Sequence, residues 1–322
     1  MSKSVANRLR STAGAEIDVF DRRAVRAHRD RAALSPVDAT FLWRAVADRL
    51  ADRLLDVRRR FPFALDLGCH RGDLLPLLAG RGGIETLIRC DLSPRMAARA
   101  GALSLAADEE WLPFRRHSFD LVLSVLALHW VNDLPGALIQ LREALKPDGL
   151  LLAAMLGGET LKELRSALFE AEMAMRGGIS PRCSPLADVR DAGNLLQRAG
   201  FALPTVDTEI LTVSYPDPLK LMTDLRAMGE SNAVMQRRKA FTGRAVMGAA
   251  AERYRARFAD RTGRVPATFQ VIYLTAWAPD AANQPQPLKP GSARTRLAAA
   301  LATDEIPTGE AAIPWPRRGR DR

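Results

Sequence analysis

At 322 residues the chain exceeds the usual single-domain size, and its 47% hydrophobic, 26% charged composition is that of a globular protein. No run of about 18 apolar residues occurs, which leaves no membrane span, and three cysteines without paired spacing exclude a disulfide framework and a zinc site. The net charge of +10 is uneven: from Arg226 to Arg264 ten basic residues stand against Glu230, Glu252 and Asp260, a balance of +7. Such a segment is either a solvated arginine-rich helix or a face for an acidic partner.

The N-terminal stretch through Arg23 lacks the apolar centre of a secretory signal, and Glu16, Asp18 and Asp21 are unlike a transit peptide, so the chain is expected in the cytoplasm. Residues 1–37 form a basic segment. Within it His28-Arg29-Asp30 has two letters of an iron-binding triad but no strand context, so it reads as solvated and no metal is expected. From Asp38 to Val57, Leu42, Val46, Leu50 and Leu54 recur every four residues and predict a helix.

Strand-like runs then alternate with helical ones. "FALDLG", "TLIRCD", "LSLAAD", "FDLVLSVLAL" and "GLLLAAML" are separated by helices starting near Asp73, Ser93 and Asp133, the pattern of a parallel sheet covered on both faces. Asp133 with Pro135 marks one helix start. Thr160 and Glu163 have capping-box spacing and predict the next, through Met175, with Gly157 to Thr160 as a flexible turn before it. After a Gly- and Pro-rich loop, Gly200 ends a further helix. "TVDTEILTVSY" and "ATFQVIYLTAWA" add two strands around two more helical segments, giving seven strands, five in the first half and two at the end. The Pro- and Ala-rich composition of 279–322 predicts a disordered tail. The folded core is therefore expected over 38–278, with a cofactor half, 61–156, and a substrate and partner half, 157–278.

The turn "DLGCHRGD" joins the first strand to its helix, where glycines let backbone N–H groups approach a ligand. Asp66, Gly68 and Gly72 fill a D-x-G-x-G-x-G frame in which His70 stands at the middle glycine; it is tolerated there if its backbone angles are ordinary and its side chain points outward. Asp91 ends the second strand, placed for ribose hydroxyls. Asp108 follows the third strand, placed to accept from an adenine amino group, with the Glu109 N–H beside it. These acids, at successive strand ends, indicate an adenosine cofactor.

Together with "DLSP", "FDLVLS", "LHW" and "LKPDG", this turn resembles the class I S-adenosylmethionine-dependent methyltransferases. The resemblance implies a Rossmann-like seven-stranded sheet whose last strand is antiparallel, and S-adenosylmethionine as cofactor. Carried over by position, Asp66, Gly68, Cys69 and Gly72 would border its methionine part, Asp91 and Leu92 the ribose, Asp108 and Glu109 the adenine, and Ser124 the pocket floor. Across nearly the whole chain, "VNDLPGAL", "GGETLKELR", "GGISPRCSP", "DAGNLLQRAGF", "DLRAMGESNA" and "VPATFQVIYL" resemble the methyltransferase-fold assembly factors of respiratory complex I. That resemblance implies hydroxylation of an arginine on a peripheral-arm subunit, in the cytoplasm and at the inner face of the membrane through that partner.

For chemistry, His129 and Trp130 stand just beyond the fourth strand as candidate base and stacking platform, and Glu230 and Asn232 end an amphipathic helix within reach of a substrate. The fourth strand lacks an Asn/Asp-Pro-Pro-aromatic turn and a Pro-Cys nucleophile, which disfavours amide or base N-methylation and cytosine chemistry; no specific nucleic acid is expected. Three functions stay open: the complex I arginine hydroxylase, a malonyl-acyl-carrier O-methyltransferase for whose acidic carrier protein the +7 segment would suit, and a non-catalytic assembly chaperone.

Overall fold

The computed structural model describes residues 18–280 and Thr303. The expected tail, apart from its first two residues and Thr303, lies outside the described residues. Seven strands form one sheet: β1 (Phe63–Leu67), β2 (Thr86–Asp91), β3 (Ser104–Ala106), β4 (Phe119–Val125), β5 (Leu145–Leu156), β6 (Ala202–Tyr215) and β7 (Val265–Trp277). Their order is β3-β2-β1-β4-β5-β7-β6. The first five pair in parallel, whereas β7 runs antiparallel to both β5 and β6. The five-plus-two count and the antiparallel last strand are as the sequence predicts.

Period-two geometry sends neighbouring residues of each strand to opposite faces. Leu121 and Leu123 of β4 and Leu150 and Leu152 of β5 bury against one set of helices. That set is α2 (Phe41–Asp52), α3 (Leu74–Leu78), α6 (Lys162–Arg176), α8 (Pro218–Met228) and α9 (Arg244–Phe258), through Leu50, Leu74, Leu164, Leu221 and Tyr254. Val122 and Leu151 point the other way, with Leu65 and Leu67, onto α5 (Leu134–Ala144) and α7 (Val189–Arg198) through Leu138, Leu141 and Leu196. Burial on both faces explains the unbroken apolar runs, and each such leucine adds roughly 1.5–3 kcal/mol of transfer free energy.

Helix starts follow their caps. Asp133 accepts from the Gly136 N–H, and Ser93 caps α4 (Pro94–Arg99) by accepting from the Met96 N–H. The expected capping box at Thr160 and Glu163 does not form. Leu161 precedes α6 in the left-handed region with no side-chain cap, while Thr160 Oγ1 donates to the Gln270 carbonyl and accepts from its N–H. Glu163 accepts from the Thr268 hydroxyl (2.5 Å) and N–H (3.3 Å). Both side chains are buried, so they satisfy β7 instead of the helix end. The Gly157–Thr160 turn is accordingly tied to β7, with Gln270 Oε1 accepting from the Glu159 N–H.

The strand order reverses between β1 and β4, and in an open α/β sheet such a reversal opens a crevice beyond the strand ends. There α1 (Arg22–Ala32) lies, capped by Asp21, whose side chain accepts from the Ala24 N–H.

Candidate functional site

β1 delivers Asp66 and Leu67 to the sheet edge, and the turn that follows passes very close to the loop after β4. Gly68 has φ 69°, and a Cβ there would lie 2.1 Å from the Ala127 Cβ, so only glycine fits. Gly72 closes the turn by donating to the Cys69 carbonyl (2.8 Å). Asp91, wholly buried, braces it from β2: Oδ2 accepts from the His70 N–H (3.0 Å) and Oδ1 from the Ser93 N–H (2.8 Å).

His70 meets neither condition for tolerance at that position, ordinary backbone angles or an outward side chain. Its φ is 48°, and its ring packs edge-on against Trp43 with centroids 5.6 Å apart. Histidine is among the residues more often found in the left-handed region, and the Asp91 bond holds it there. Burial, then the Arg29 charge, push the imidazole down to about 3, so the ring is neutral. Cys69 and Cys90 are buried thiols raised well above the ordinary range by burial first and by the nearby acids. Neither serves as a nucleophile at neutral pH. Leu92 packs with Phe20, Val25 and Trp130.

The solvated reading of His28-Arg29-Asp30 is overturned. Arg29 is 3% exposed, and its Nη1 lies 2.6 Å from Glu109 Oε1 and 3.5 Å from Asp91 Oδ1. Arg22 binds Asp108 (2.5 Å), Glu109 and the Trp130 carbonyl (3.0 Å), and Asp30 accepts from the Ser93 hydroxyl (2.5 Å). The physical reason is charge: acids buried at successive strand ends need cations, and α1 supplies two. Burial alone would raise Glu109, but Arg29 and Arg22 outweigh it and hold its carboxyl below the usual value.

Several buried polar atoms here have no protein partner: both oxygens of Asp66, Ser124 Oγ, His70 Nε2 and Arg29 Nη2. Asp66 and Ser124 sit on the adjacent strands β1 and β4, where Leu67 is in register with Ser124. Burial, reinforced by Asp91 against the opposing Arg89, raises Asp66 to about 8. An orphaned carboxyl in this position is suited to a ligand's ammonium group.

A second constellation gathers the three chemical candidates. His129 and Trp130 lie in the short turn Leu128–Trp130 after β4, and Glu230 follows α8, where Gly229 at φ 90° ends the helix. One oxygen of Glu230, Oε2, accepts from Trp130 Nε1 (3.1 Å) and faces His129 Nε2 (3.1 Å). Burial would raise Glu230, but His129 leads the effects that lower it, so it stays ionised. All three line a cavity of about 780 Å³. Asn232 also lines it, though its amide donates to the Pro181 carbonyl (2.7 Å). Among the described residues no group of three or more His, Cys, Asp or Glu is placed to hold a metal ion.

The sequence did not single out Arg22, nor Arg29 as a partner of the buried acids. The run Asp108-Glu109-Glu110 signals a need for cations, but nothing in the chain says which of its 47 lysines and arginines answers it.

Comparison with known proteins identifies the family. A methyltransferase domain family matches residues 65–153, the turn through β5. Arginine-hydroxylase NDUFAF5, mitochondrial, of Danio rerio is 44% identical over 290 residues, covering 88% of this chain and 89% of the relative. The chain belongs to the NDUFAF5 family. The Homo sapiens NDUFAF5 is likewise 44% identical, over 88% of this chain and 83% of its own length. A malonyl-[acyl-carrier protein] O-methyltransferase of Methylovorus is 36% identical, over 83% of this chain and 92% of its own. In fold, the YcgJ protein of Bacillus subtilis superimposes with a TM-score of 0.50 at 14% identity, covering 72% of this chain and 98% of that one. The NDUFAF5 match extends well past residue 153, over the part that carries Glu230 and the cavity wall. Among the described residues no helix is long and apolar enough to cross a membrane.

Proposed function

We propose that this NDUFAF5-family chain acts in the assembly of respiratory complex I by hydroxylating an arginine of a peripheral-arm subunit. The observation that carries it is Glu230, a lowered, cavity-lining carboxylate with one oxygen engaged by Trp130 and His129. Its other oxygen can accept from a guanidinium N–H, and Trp130, buried beside it, fixes the carboxylate's position. A malonyl carboxylate, by contrast, would meet Glu230 as a like charge.

The residues of the β1 turn fit S-adenosylmethionine: the orphaned Asp66 carboxyl suits its α-ammonium, and Gly68 and Gly72 add no side chains to the turn. When bound, that cofactor supplies a cationic sulfonium with an electrophilic methyl group. Asp91, with both oxygens on backbone N–H groups, positions the turn. Hydroxylation replaces one C–H bond of the arginine by C–OH; as a monooxygenation it consumes dioxygen and a two-electron donor, and the second oxygen leaves as water. The chain's part is to seat the guanidinium on Glu230 and to exclude water with its apolar walls.

The variant Glu230→Gln tests this. Introduced into a deletion strain of the source organism, it is expected to lower the hydroxylated fraction of the target arginine at least about tenfold, because a neutral amide forgoes a charge-assisted bond worth about 1.5–3 kcal/mol. Full hydroxylation by Glu230→Gln would refute the seat. A methyl group added to malonyl-acyl carrier protein by the purified chain would favour the carrier methyltransferase instead.

A further inference from the structure

The basic run from Arg226 to Arg264 divides in the fold. Arg237 pairs with Asp21 (3.0 Å) and Arg257 with Glu170 (2.7 Å), and Arg264 is bonded to Ser214. Arg226, Arg238 and Lys239 do otherwise: they are exposed and line the same cavity as Glu230, and among the described residues they form no salt bridge with a carboxylate. Arg226 also acts on a neighbouring cation: burial and then the like charge of Arg226 lower Arg31.

The cavity therefore has two electrostatic zones, a largely buried anion at Glu230 and a rim of cations without a salt-bridge partner, and Leu168, Met222 and Phe269 also line it. Its volume of about 780 Å³ falls in the range of roughly 300–1,000 Å³ that accepts a drug-sized ligand, more than one side chain fills. An anionic small molecule would satisfy the rim and be repelled at Glu230; a free cation would do the reverse. A ligand with a cationic tip and anionic shoulders satisfies both.

We infer that the cavity selects an arginine carried on an acidic segment of protein: Glu230 receives the guanidinium while Arg226, Arg238 and Lys239 bind carboxylates flanking it in sequence. This deepens the proposed function and rests on it for the guanidinium at Glu230. The rim then supplies specificity and encounter rate more than catalytic power, and its action weakens as salt screens it.

The test uses the full chain and fluorescent short peptides with a central arginine flanked on both sides by aspartate, asparagine or lysine, plus an aspartate-flanked peptide with central citrulline. In low salt the aspartate-flanked arginine peptide is expected to bind about tenfold or more tightly than the asparagine one, the gap closing as salt rises. The triple variant Arg226→Glu, Arg238→Glu, Lys239→Glu, changed only at exposed positions, is expected to lose that preference and turn towards the lysine-flanked peptide. Equal affinity for aspartate and asparagine flanks, or a triple variant that keeps the aspartate preference, would overturn the rim. Equal binding of arginine and citrulline with the flank preference kept would support the rim and overturn Glu230 as the seat, separating failure of the two readings.

Discussion

Arg29→Ala is expected to destabilise the fold by about 3–5 kcal/mol, the cost of leaving buried carboxylates without their cation. Arg29 is enclosed, and its guanidinium stands between Glu109, itself fully buried, and Asp91, whose oxygens hold the His70 turn and the start of α4. Removing it leaves Arg22 as the remaining cation on Glu109, and Glu109 must then take up a proton or draw in water. The companion change Glu109→Gln in the Arg29→Ala background should return part of the loss, since the two side chains share one interaction. Urea denaturation at neutral pH measures both. A loss below about 1 kcal/mol would mean that the ion pair contributes no more than a surface one.

The second large effect concerns Asp66. Its folded value is raised to about 8 from an ordinary 3.8, so the folded chain holds a proton that the unfolded chain releases. Stability from this group is full below pH 3.8 and is lost as pH rises through about 8. Asp91, raised to about 6 by burial despite Arg29, acts in the same direction. Glu109 and Glu230, both lowered, act oppositely: their contributions are present at neutral pH and fall away in acid. Asp66→Asn is accordingly expected to raise stability near pH 8 by about 2–4 kcal/mol and to change little near pH 4. The same substitution should weaken S-adenosylmethionine about tenfold or more, because the Asp66 carboxyl can release its proton to pair with the ammonium and an amide cannot. Melting across pH and calorimetry of cofactor binding measure the two halves; a variant less stable than the wild type at pH 8, or one that binds the cofactor equally well, would contradict the assignment.

The strands were legible because each is marked locally, although their order, which sets β1 beside β4 and β5 beside β7, is not. Each apolar run is short and ends in a marked turn or cap, and that length and punctuation, more than periodicity, separate the doubly buried strands from helices. The turn was legible for a similar reason: Gly68 and Gly72 are fixed by close backbone approaches that only a few residue types allow. What could not be read were contacts made across the sheet edge. Arg29 reaches Glu109, 80 residues away, and Glu230 reaches His129, 101 residues away; nothing in either local pattern names its partner. The capping box failed on the same ground, because Thr160 and Glu163 had a nearer use on β7 than at the start of α6. How His70 is accommodated could not be read either, because its left-handed backbone is held by Asp91 and its ring by Trp43, both distant in sequence.

The central claim is that this chain hydroxylates an arginine during complex I assembly, and the mass of its substrate tests it most directly. Peripheral-arm subunits from wild-type and deletion strains of the source organism can be compared by intact and fragment mass. One arginine-containing fragment of the wild type is expected to be heavier by a single oxygen atom, an increment that the deletion strain lacks. The same oxygen retained in the deletion strain would contradict it.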